Sequence, residues 1–254
     1  MKKICGILTM VAVTVMLLGC ANAFAYTIND VYSTYTGDLY SGDRIGNYLF
    51  EIYGMDVTQS GNYLTFDIYS NFPGVDPVGG WTTYSGDLGI DVDNNGSYEY
   101  GVAFDDNRGR GTILSMGSLY SVNTALNNSD LIVNGWYTSR YYEPNQYPSG
   151  WSYYYHQGQP VTIAGGSVLS AGNVTWNDIA GNYPNYKIST TIDINNIVPA
   201  GYDGNITVYY AGATCANDYI KGTVHVNAPV PEPATMSLLG LGILGMLGLK
   251  RRKQ

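Results

Sequence analysis

The middle of the chain alternates apolar and polar residues with a period of two. The alternation is clearest in residues 48–57 and 63–69, which flank the polar segment Thr-Gln-Ser-Gly at 58–61. Two alternating runs around a short segment that ends in glycine predict a β-hairpin. Shorter runs of strand-forming residues follow at 89–92, 98–104, 131–137, 187–194, 206–210 and 223–226.

Helical periodicity of useful length is absent, and only residues 123–128 suggest a single helical turn. Glycine, asparagine and aspartate separate the predicted strands at intervals of roughly ten residues, which is typical of sandwiches and jelly rolls. The sequence therefore predicts an all-β fold. Its body, residues 26–228, is expected to form a single antiparallel β-sandwich of jelly-roll-like topology.

The N-terminal 25 residues have the composition of a secretory signal peptide. Lys2 and Lys3 precede an apolar run at 4–18, and Ala23 and Ala25 occupy the small-residue positions of a cleavage site. This order of basic, apolar and small residues predicts export, with cleavage after Ala25.

A second interpretation of this end involves Cys20. The segment Leu-Leu-Gly-Cys at 17–20 is similar to a lipobox, in which Cys20 would become a lipidated N-terminus. Leucine directly before the glycine fits that motif poorly, so cleavage after Ala25 is favoured.

The C-terminal end consists of three successive parts. Pro231-Glu232-Pro233 is followed by an apolar run at 234–249 and a basic cluster at 250–253. As a helix the apolar run would reach about 24 Å, which is slightly short of the roughly 30 Å hydrocarbon core of a membrane. A lasting C-terminal membrane anchor is one interpretation, and a removable sorting signal is the other.

The sequence Val-Pro-Glu-Pro-Ala-Thr at 230–235, with the Leu/Gly-rich run and the basic end, resembles the PEP-CTERM sorting signal of certain Gram-negative bacteria. The resemblance covers residues 229–254. It implies secretion, signal-peptidase cleavage and a transient inner-membrane intermediate. An exosortase, a membrane cysteine transpeptidase, would then cut near Pro231-Glu232-Pro233. The product would reach the outer surface or the extracellular matrix.

Without its two ends the chain is strongly acidic. Residues 26–231 contain 19 acidic and six basic residues, a net charge of −13. Such a surface repels nucleic acid, and it would either attract divalent cations or simply keep the secreted body soluble. Cys215 is the single cysteine of this region, which excludes an intramolecular disulfide there.

Oxygen-bearing side chains recur at alternate positions in the segment that begins at residue 91, and Gly96 takes the sixth place. This matches the first half of an EF-hand calcium loop, but Val102 stands at the twelfth place, where a closing carboxylate is needed. A plain hairpin turn through Asn94-Asn95-Gly96 is the alternative. The candidate calcium ligands are Asp91, Asp93, Asn95 and Glu99.

Residues 136–156 are unusually rich in aromatic side chains, interrupted by prolines and glycine. Exposed aromatic rings can stack on the apolar faces of sugars, whereas buried ones would cover the core or stiffen a loop. The candidate glycan-binding residues are Trp136, Tyr142, Trp151 and Tyr154.

No Gly-x-Ser-x-Gly, His-Glu-x-x-His or phosphate-loop motif is present in the sequence. We therefore expect a protein without enzymatic or nucleic-acid-binding activity and with a structural or adhesive role. The PEP-CTERM resemblance implies that this role lies in exopolysaccharide or biofilm. The alternative is a secreted polysaccharide-active hydrolase. Such an enzyme needs a carboxylate pair, and Glu51, Glu99, Glu143 and the many aspartates supply pairs by chance alone.

Overall fold

The computed structural model describes residues 23–30, 48–78, 81–106, 113–126, 132–139, 159–181, 183–212 and 218–229. Cys20, Cys215, Tyr142, Trp151, Tyr154 and the C-terminal tail, with Pro231, Glu232 and Pro233, lie outside the described residues.

The described part of the chain is built from β-strands, with short 3-10 turns at Tyr48–Phe50 and Ile194–Asn196. The strands are β1 (Ala23–Asn29), β2 (Ile52–Ser60), β3 (Tyr63–Ser70), β4 (Val75–Val78), β5 (Trp81–Tyr84), β6 (Leu88–Asp91), β7 (Tyr100–Val102), β8 (Leu119–Val122), β9 (Ile132–Val133), β10 (Trp136–Thr138), β11 (Pro160–Ile163), β12 (Gly166–Ser170), β13 (Val174–Asp178), β14 (Tyr186–Asp193), β15 (Asp203–Gly212) and β16 (Asp218–Asn227).

Two antiparallel sheets form the main body. The five-stranded sheet has the order β1-β2-β3-β14-β13, and the six-stranded sheet has the order β12-β8-β7-β6-β15-β16. The predicted hairpin is confirmed as β2 and β3, and the register pairs Ser60 with Tyr63. Gly61 adopts a positive φ of 58° in the turn, a conformation that costs glycine little.

The main core lies between these two sheets. Alternate residues of β3 point inward, and Leu64, Phe66 and Ile68 are at most 1% exposed. They belong to the same buried cluster as Ile90 and Val208 of the six-stranded sheet. Because each sheet buries one face against the other, the predicted all-β sandwich is confirmed.

A smaller core covers the outer face of the six-stranded sheet. The three-stranded sheet β11-β10-β9 contributes the buried Trp136, which packs against Tyr98 with ring centroids 5.9 Å apart. Glycine at two positions of the six-stranded sheet makes room for these rings. A Cβ at Gly101 would lie 2.8 Å from Trp136 Cη2, and one at Gly89 would lie 3.0 Å from Tyr98 Cγ.

Several local predictions need correction. The run at 131–137 is two strands, because Asn134 and Gly135 adopt positive φ values of 50° and 81° and form a turn. The helical turn expected at 123–128 is a simple turn over its described residues, where the N–H of Leu126 donates to the carbonyl of Asn123. Strands β1, β4, β5, β8 and β11 to β13 were not predicted.

Strand β1 spans the predicted signal cleavage site. Ala23 pairs with Ser60 and Ala25 pairs with Thr58, and the register continues to Asn29 opposite Gly54. Cleavage after Ala25 would leave Tyr26–Asn29 of this strand on the sheet. The boundaries of the signal peptide and of the body remain predictions.

Candidate functional site: an acidic loop between β6 and β7

The candidate calcium ligands lie in the loop that joins β6 to β7. These strands pair Leu88 with Val102 and Ile90 with Tyr100, so the segment is a β-hairpin. The loop turns at Asn94 and Gly96, whose φ values are 58° and 91°. Val102 is fully buried in a strand, which explains why the EF-hand pattern ends before its twelfth position.

Three carboxylates meet in this loop. Asp91, Asp93 and Glu99 each offer an oxygen atom, and these atoms all lie within 4.8 Å of one another. Asp91 is 1% exposed, Asp93 is exposed and Glu99 is partly buried. The site is therefore anchored in the sheet at one end and open to solvent at the other.

Backbone N–H groups of the loop orient the two aspartates. The carboxylate of Asp91 accepts hydrogen bonds from the N–H of Asn95 at 3.2 Å and from that of Gly96 at 2.8 Å. Asp93 accepts from the same Asn95 N–H at 3.1 Å. The side-chain oxygen of Asn95 accepts from the N–H of Ser97 at 2.7 Å, and its Nδ2 donates to Asp93 Oδ2 at 2.9 Å. Asn95 thus shapes the turn and contacts Asp93 through its NH₂ group, while its oxygen is taken up by the backbone.

Glu99 closes the loop from its far side. Its Oε2 accepts from the N–H of Val92 at 3.1 Å, while its buried Oε1 has no hydrogen-bond partner within the described part of the chain. Burial raises the pKa of Glu99, the backbone N–H groups oppose that rise, and the charges of Asp91 and Asp93 add to it. A buried, unsatisfied carboxylate oxygen beside two other carboxylates fits a bound cation.

The neighbouring strand β15 holds the loop in place. Asn94 donates from Nδ2 to the carbonyl of Asn205 at 2.8 Å and accepts from the hydroxyl of Thr207 at 2.6 Å. The hydroxyl of Tyr202, which directly precedes β15, lies 2.9 Å from the carbonyl oxygen of Asn205 and 3.3 Å from that of Val92. These bonds fix the turn from outside, so the three carboxylates do not depend on the loop alone for their positions.

The chemistry of the site is that of a hard cation site. All three groups are carboxylates, and calcium prefers oxygen ligands, including carboxylates that bind through one or two oxygen atoms. The described residues supply three of the six to eight oxygens that calcium usually takes, so solvent would complete the shell. The sequence offered two interpretations of this segment, a plain hairpin turn and the first half of a calcium loop. The segment is a hairpin turn, and it also brings the acidic side chains together.

Asp87 lies on the same hairpin but has a different role. It is 1% exposed, and its two carboxylate oxygens accept from the N–H groups of Phe104 and Ile163, each at 2.8 Å. Burial raises the pKa of Asp87 to about 7, and the two N–H groups act in the opposite direction. This carboxylate joins the six-stranded sheet to β11 and does not approach the acidic loop.

A second acidic group was missed by the sequence analysis. Asp30, Glu51 and Asp218 bring carboxylate oxygens within 4.8 Å of one another, and Glu51 and Asp218 are 2% and 0% exposed. The N–H of Ile52 donates to Asp218 at 2.6 Å. The three residues are far apart in the chain, and no local spacing connects them.

Trp136 does not fit the predicted glycan-binding platform. It is 1% exposed, and its indole N–H donates to the carbonyl of Tyr98 at 2.9 Å. A ring packed on the sheet in this way has no free face for a sugar. The other three candidates, Tyr142, Trp151 and Tyr154, lie outside the described residues.

Within the described ranges, no helix is long and apolar enough to cross a membrane. Comparison with curated proteins and with solved structures finds no match for the chain. Comparison with protein families finds the PEP-CTERM protein-sorting motif at residues 229–253. That motif implies export, targeting to the cell surface and processing by an exosortase. The resemblance seen in the tail is thus confirmed, and residues 229–253 carry a PEP-CTERM protein-sorting motif.

Proposed function

We propose that the exported body is a non-enzymatic structural or adhesive component of an exopolysaccharide or biofilm matrix, and that its acidic loop binds calcium. The sorting motif supports the cell-surface destination. The observation that carries the calcium proposal is the convergence of Asp91, Asp93 and Glu99 within 4.8 Å. The exosortase, the secretion machinery and signal peptidase are its processing partners.

Calcium would relieve the repulsion among these three carboxylates. Like charges at such distances disfavour the ionised forms, and a divalent cation reverses that effect. The N–H groups of Asn95 and Gly96 already orient Asp91, so little reorganisation of that ligand is needed. Binding would stiffen the open end of the β6–β7 hairpin.

The charge of the body makes a cation useful in a matrix role. With a net charge of −13 over residues 26–231, the body repels acidic polymers. A calcium ion at the solvent-exposed side of Asp93 can also accept oxygen atoms from a sugar. The loop would then act as a calcium-dependent contact for exopolysaccharide.

The aromatic segment is a second candidate contact for polysaccharide. Tyr142, Trp151 and Tyr154 remain the proposed stacking residues, and Trp136 is assigned to the core instead. The test is binding of the exported protein to the exopolysaccharide of its own cells. Joint replacement of Trp151 and Tyr154 by alanine should abolish binding, and unchanged binding would exclude the segment.

Isothermal calorimetry with calcium tests the loop. The exported protein should bind calcium with measurable heat, and Asp93→Asn should weaken binding by about tenfold or more because it removes one charged ligand. Asp178→Asn, at an exposed aspartate of β13, is the matched control and should change nothing.

The same experiment separates the two acidic groups. If calcium still binds with heat in Asp93→Asn but not in Glu51→Gln, the ion lies at the group of Asp30, Glu51 and Asp218. The acidic loop is then a plain turn. Absence of any calcium-linked heat would reject the calcium proposal.

Deletion of the coding gene tests the matrix role. Cells without the protein should form weaker biofilm or floc, and a copy that carries Asp93→Asn should restore it only in part. Release of reducing sugar from the exopolysaccharide by the purified protein would favour the hydrolase alternative instead. Normal biofilm without the protein would contradict the matrix role.

A further inference from the structure

Strand β12 is a free edge of the six-stranded sheet. It pairs with β8 on one side, with Gly166 opposite Val122 and Val168 opposite Tyr120. No other strand pairs with it within the described residues. The backbone N–H and C=O groups on its outer side can therefore accept another strand.

This edge carries two exposed apolar side chains. Val168 is 53% exposed and Leu169 is 40% exposed. The register with β8 shifts between Val168 and Ser170, so Leu169 has no partner residue on β8, and both apolar side chains are open to solvent.

The loop before β8 extends the apolar surface. A Cβ at Gly117 would lie 2.6 Å from Asn173 Cα, which places this loop against the connection from β12 to β13. Ile113 and Met116, in the same loop, are 92% and 53% exposed. Four of the seven exposed large apolar side chains of the described part are thus found on β12 and in this loop.

The edge is also uncharged. Residues 113–126 and 159–177 contain no Asp, Glu, Lys or Arg, although the body as a whole carries a net charge of −13. The opposite edge of the same sheet, β16, carries Asp218, Lys221 and His225. The absence of charge favours pairing with an identical strand, because like charges directly opposite each other are destabilising.

We infer that β12 pairs antiparallel with β12 of a second copy of this chain around a two-fold axis. The two six-stranded sheets would then form one continuous sheet across the dimer, with Val168 and Leu169 covered. Such dimers would link neighbouring molecules in a matrix. Their biological purpose therefore rests on the proposed structural role.

The contact is expected to be weak in free solution. A five-residue edge buries less surface than a standard stable interface, and the acidic bodies repel each other. Salt screens that repulsion, so dimerisation should strengthen as ionic strength rises. Display at the cell surface raises the local concentration and favours the same contact.

Sedimentation velocity of the exported protein, from micromolar to millimolar concentration and at low and high salt, tests the inference. A reversible dimer that strengthens with salt is expected. Val168→Lys should weaken it about tenfold or more, because it adds a positive charge to both strands of the short pair. Val133→Lys adds the same charge at a side chain of similar exposure, 47%, on β9 and should leave the dimer unchanged.

Oxidative cross-linking gives a second measurement. Val168→Cys should form a disulfide-linked dimer, whereas Val133→Cys should not. A protein that stays monomeric at every concentration and salt, or a dimer indifferent to Val168→Lys, would overturn the inference. Slow hydrogen exchange at β12 in a monomer would show that another part of the same chain covers this edge. Because the measurements need no polysaccharide, their failure would leave the matrix role itself standing.

Discussion

The carboxylate of Asp87 accepts a hydrogen bond from the backbone N–H of Ile163 at 2.8 Å, and this bond links the six-stranded sheet to the strand that covers its outer face. The other oxygen of the same carboxylate accepts from the N–H of Phe104. In return, the N–H of Asp87 donates to the carbonyl of Val161 at 2.7 Å. One buried side chain thus joins the hairpin of the acidic loop to β11.

Replacement of this carboxylate by an amide should destabilise the protein. In Asp87→Asn one oxygen can still accept, but the NH₂ group faces a backbone N–H that loses its acceptor. A buried donor left without a partner costs about 1–3 kcal/mol in the free energy of unfolding. Urea denaturation at mildly acidic pH measures the loss, and Asp178→Asn serves as the exposed control. Equal midpoints for Asp87→Asn and the wild type would contradict the bridging role.

The contribution of Asp87 should also depend on pH. Its pKa is raised from 3.8 to about 7 because burial disfavours the charged form. Between these values the folded protein holds a proton that the unfolded chain has released, so stability falls as pH rises. The stabilisation is fully present below 3.8 and is lost as pH rises through about 7.

The difference in unfolding free energy between the wild type and Asp87→Asn separates the effect of Asp87 from the effects of the other carboxylates. The unfolding free energy of the wild type should exceed that of Asp87→Asn most at acidic pH, and this difference should decrease toward neutral pH. Denaturation curves of both proteins at a series of pH values provide the measurement. A difference in unfolding free energy that increases with rising pH would mean that Asp87 is charged and well solvated in the folded state.

Part of this structure could be predicted from the sequence and part could not, and the difference has a physical reason. The β2–β3 hairpin was predictable because its strands bury one face each and their residues alternate accordingly. Strand β12 has no such alternation, since four of its five residues are exposed and its register with β8 shifts between Val168 and Ser170. Trp136 belongs to an aromatic-rich segment in the sequence, but its burial depends on Gly101, which lies far from it in the chain.

The candidate sites also differ in whether the sequence could predict them. Asp91, Asp93 and Glu99 are close in sequence, and a turn brought them together as their spacing indicated. The group of Asp30, Glu51 and Asp218 required the pairing of distant strands and left no local pattern. Asp87 and Ile163 are 76 positions apart, so their bond could not be predicted from either segment alone.

The glycine under Trp136 should be intolerant of substitution. In Gly101→Ala the new Cβ would lie 2.8 Å from Trp136 Cη2, 2.9 Å from Ile163 Cδ1 and 3.0 Å from the carbonyl oxygen of Leu88. Such overpacking costs about 1–3 kcal/mol in unfolding free energy. Gly212→Ala is the matched control, because its nearest contact, Ile52 Cδ1, lies 3.4 Å away in ordinary van der Waals range. Thermal denaturation should show a lower midpoint for Gly101→Ala alone, and equal midpoints would mean that β10 is free to move away from the sheet.

Calcium binding at the acidic loop should weaken in mild acid. Burial and the charges of Asp91 and Asp93 raise the pKa of Glu99 above its ordinary 4.5. Protons therefore compete with calcium for this carboxylate at a higher pH than for a solvated glutamate, and affinity falls as pH falls through that pKa. Calorimetry at a series of pH values should show this loss in the wild type. Glu99→Gln should bind more weakly at neutral pH and should show a flatter pH dependence, because one competing proton site has been removed. An equally steep profile in Glu99→Gln would contradict proton competition at Glu99, and unchanged affinity at neutral pH would exclude Glu99 as a ligand.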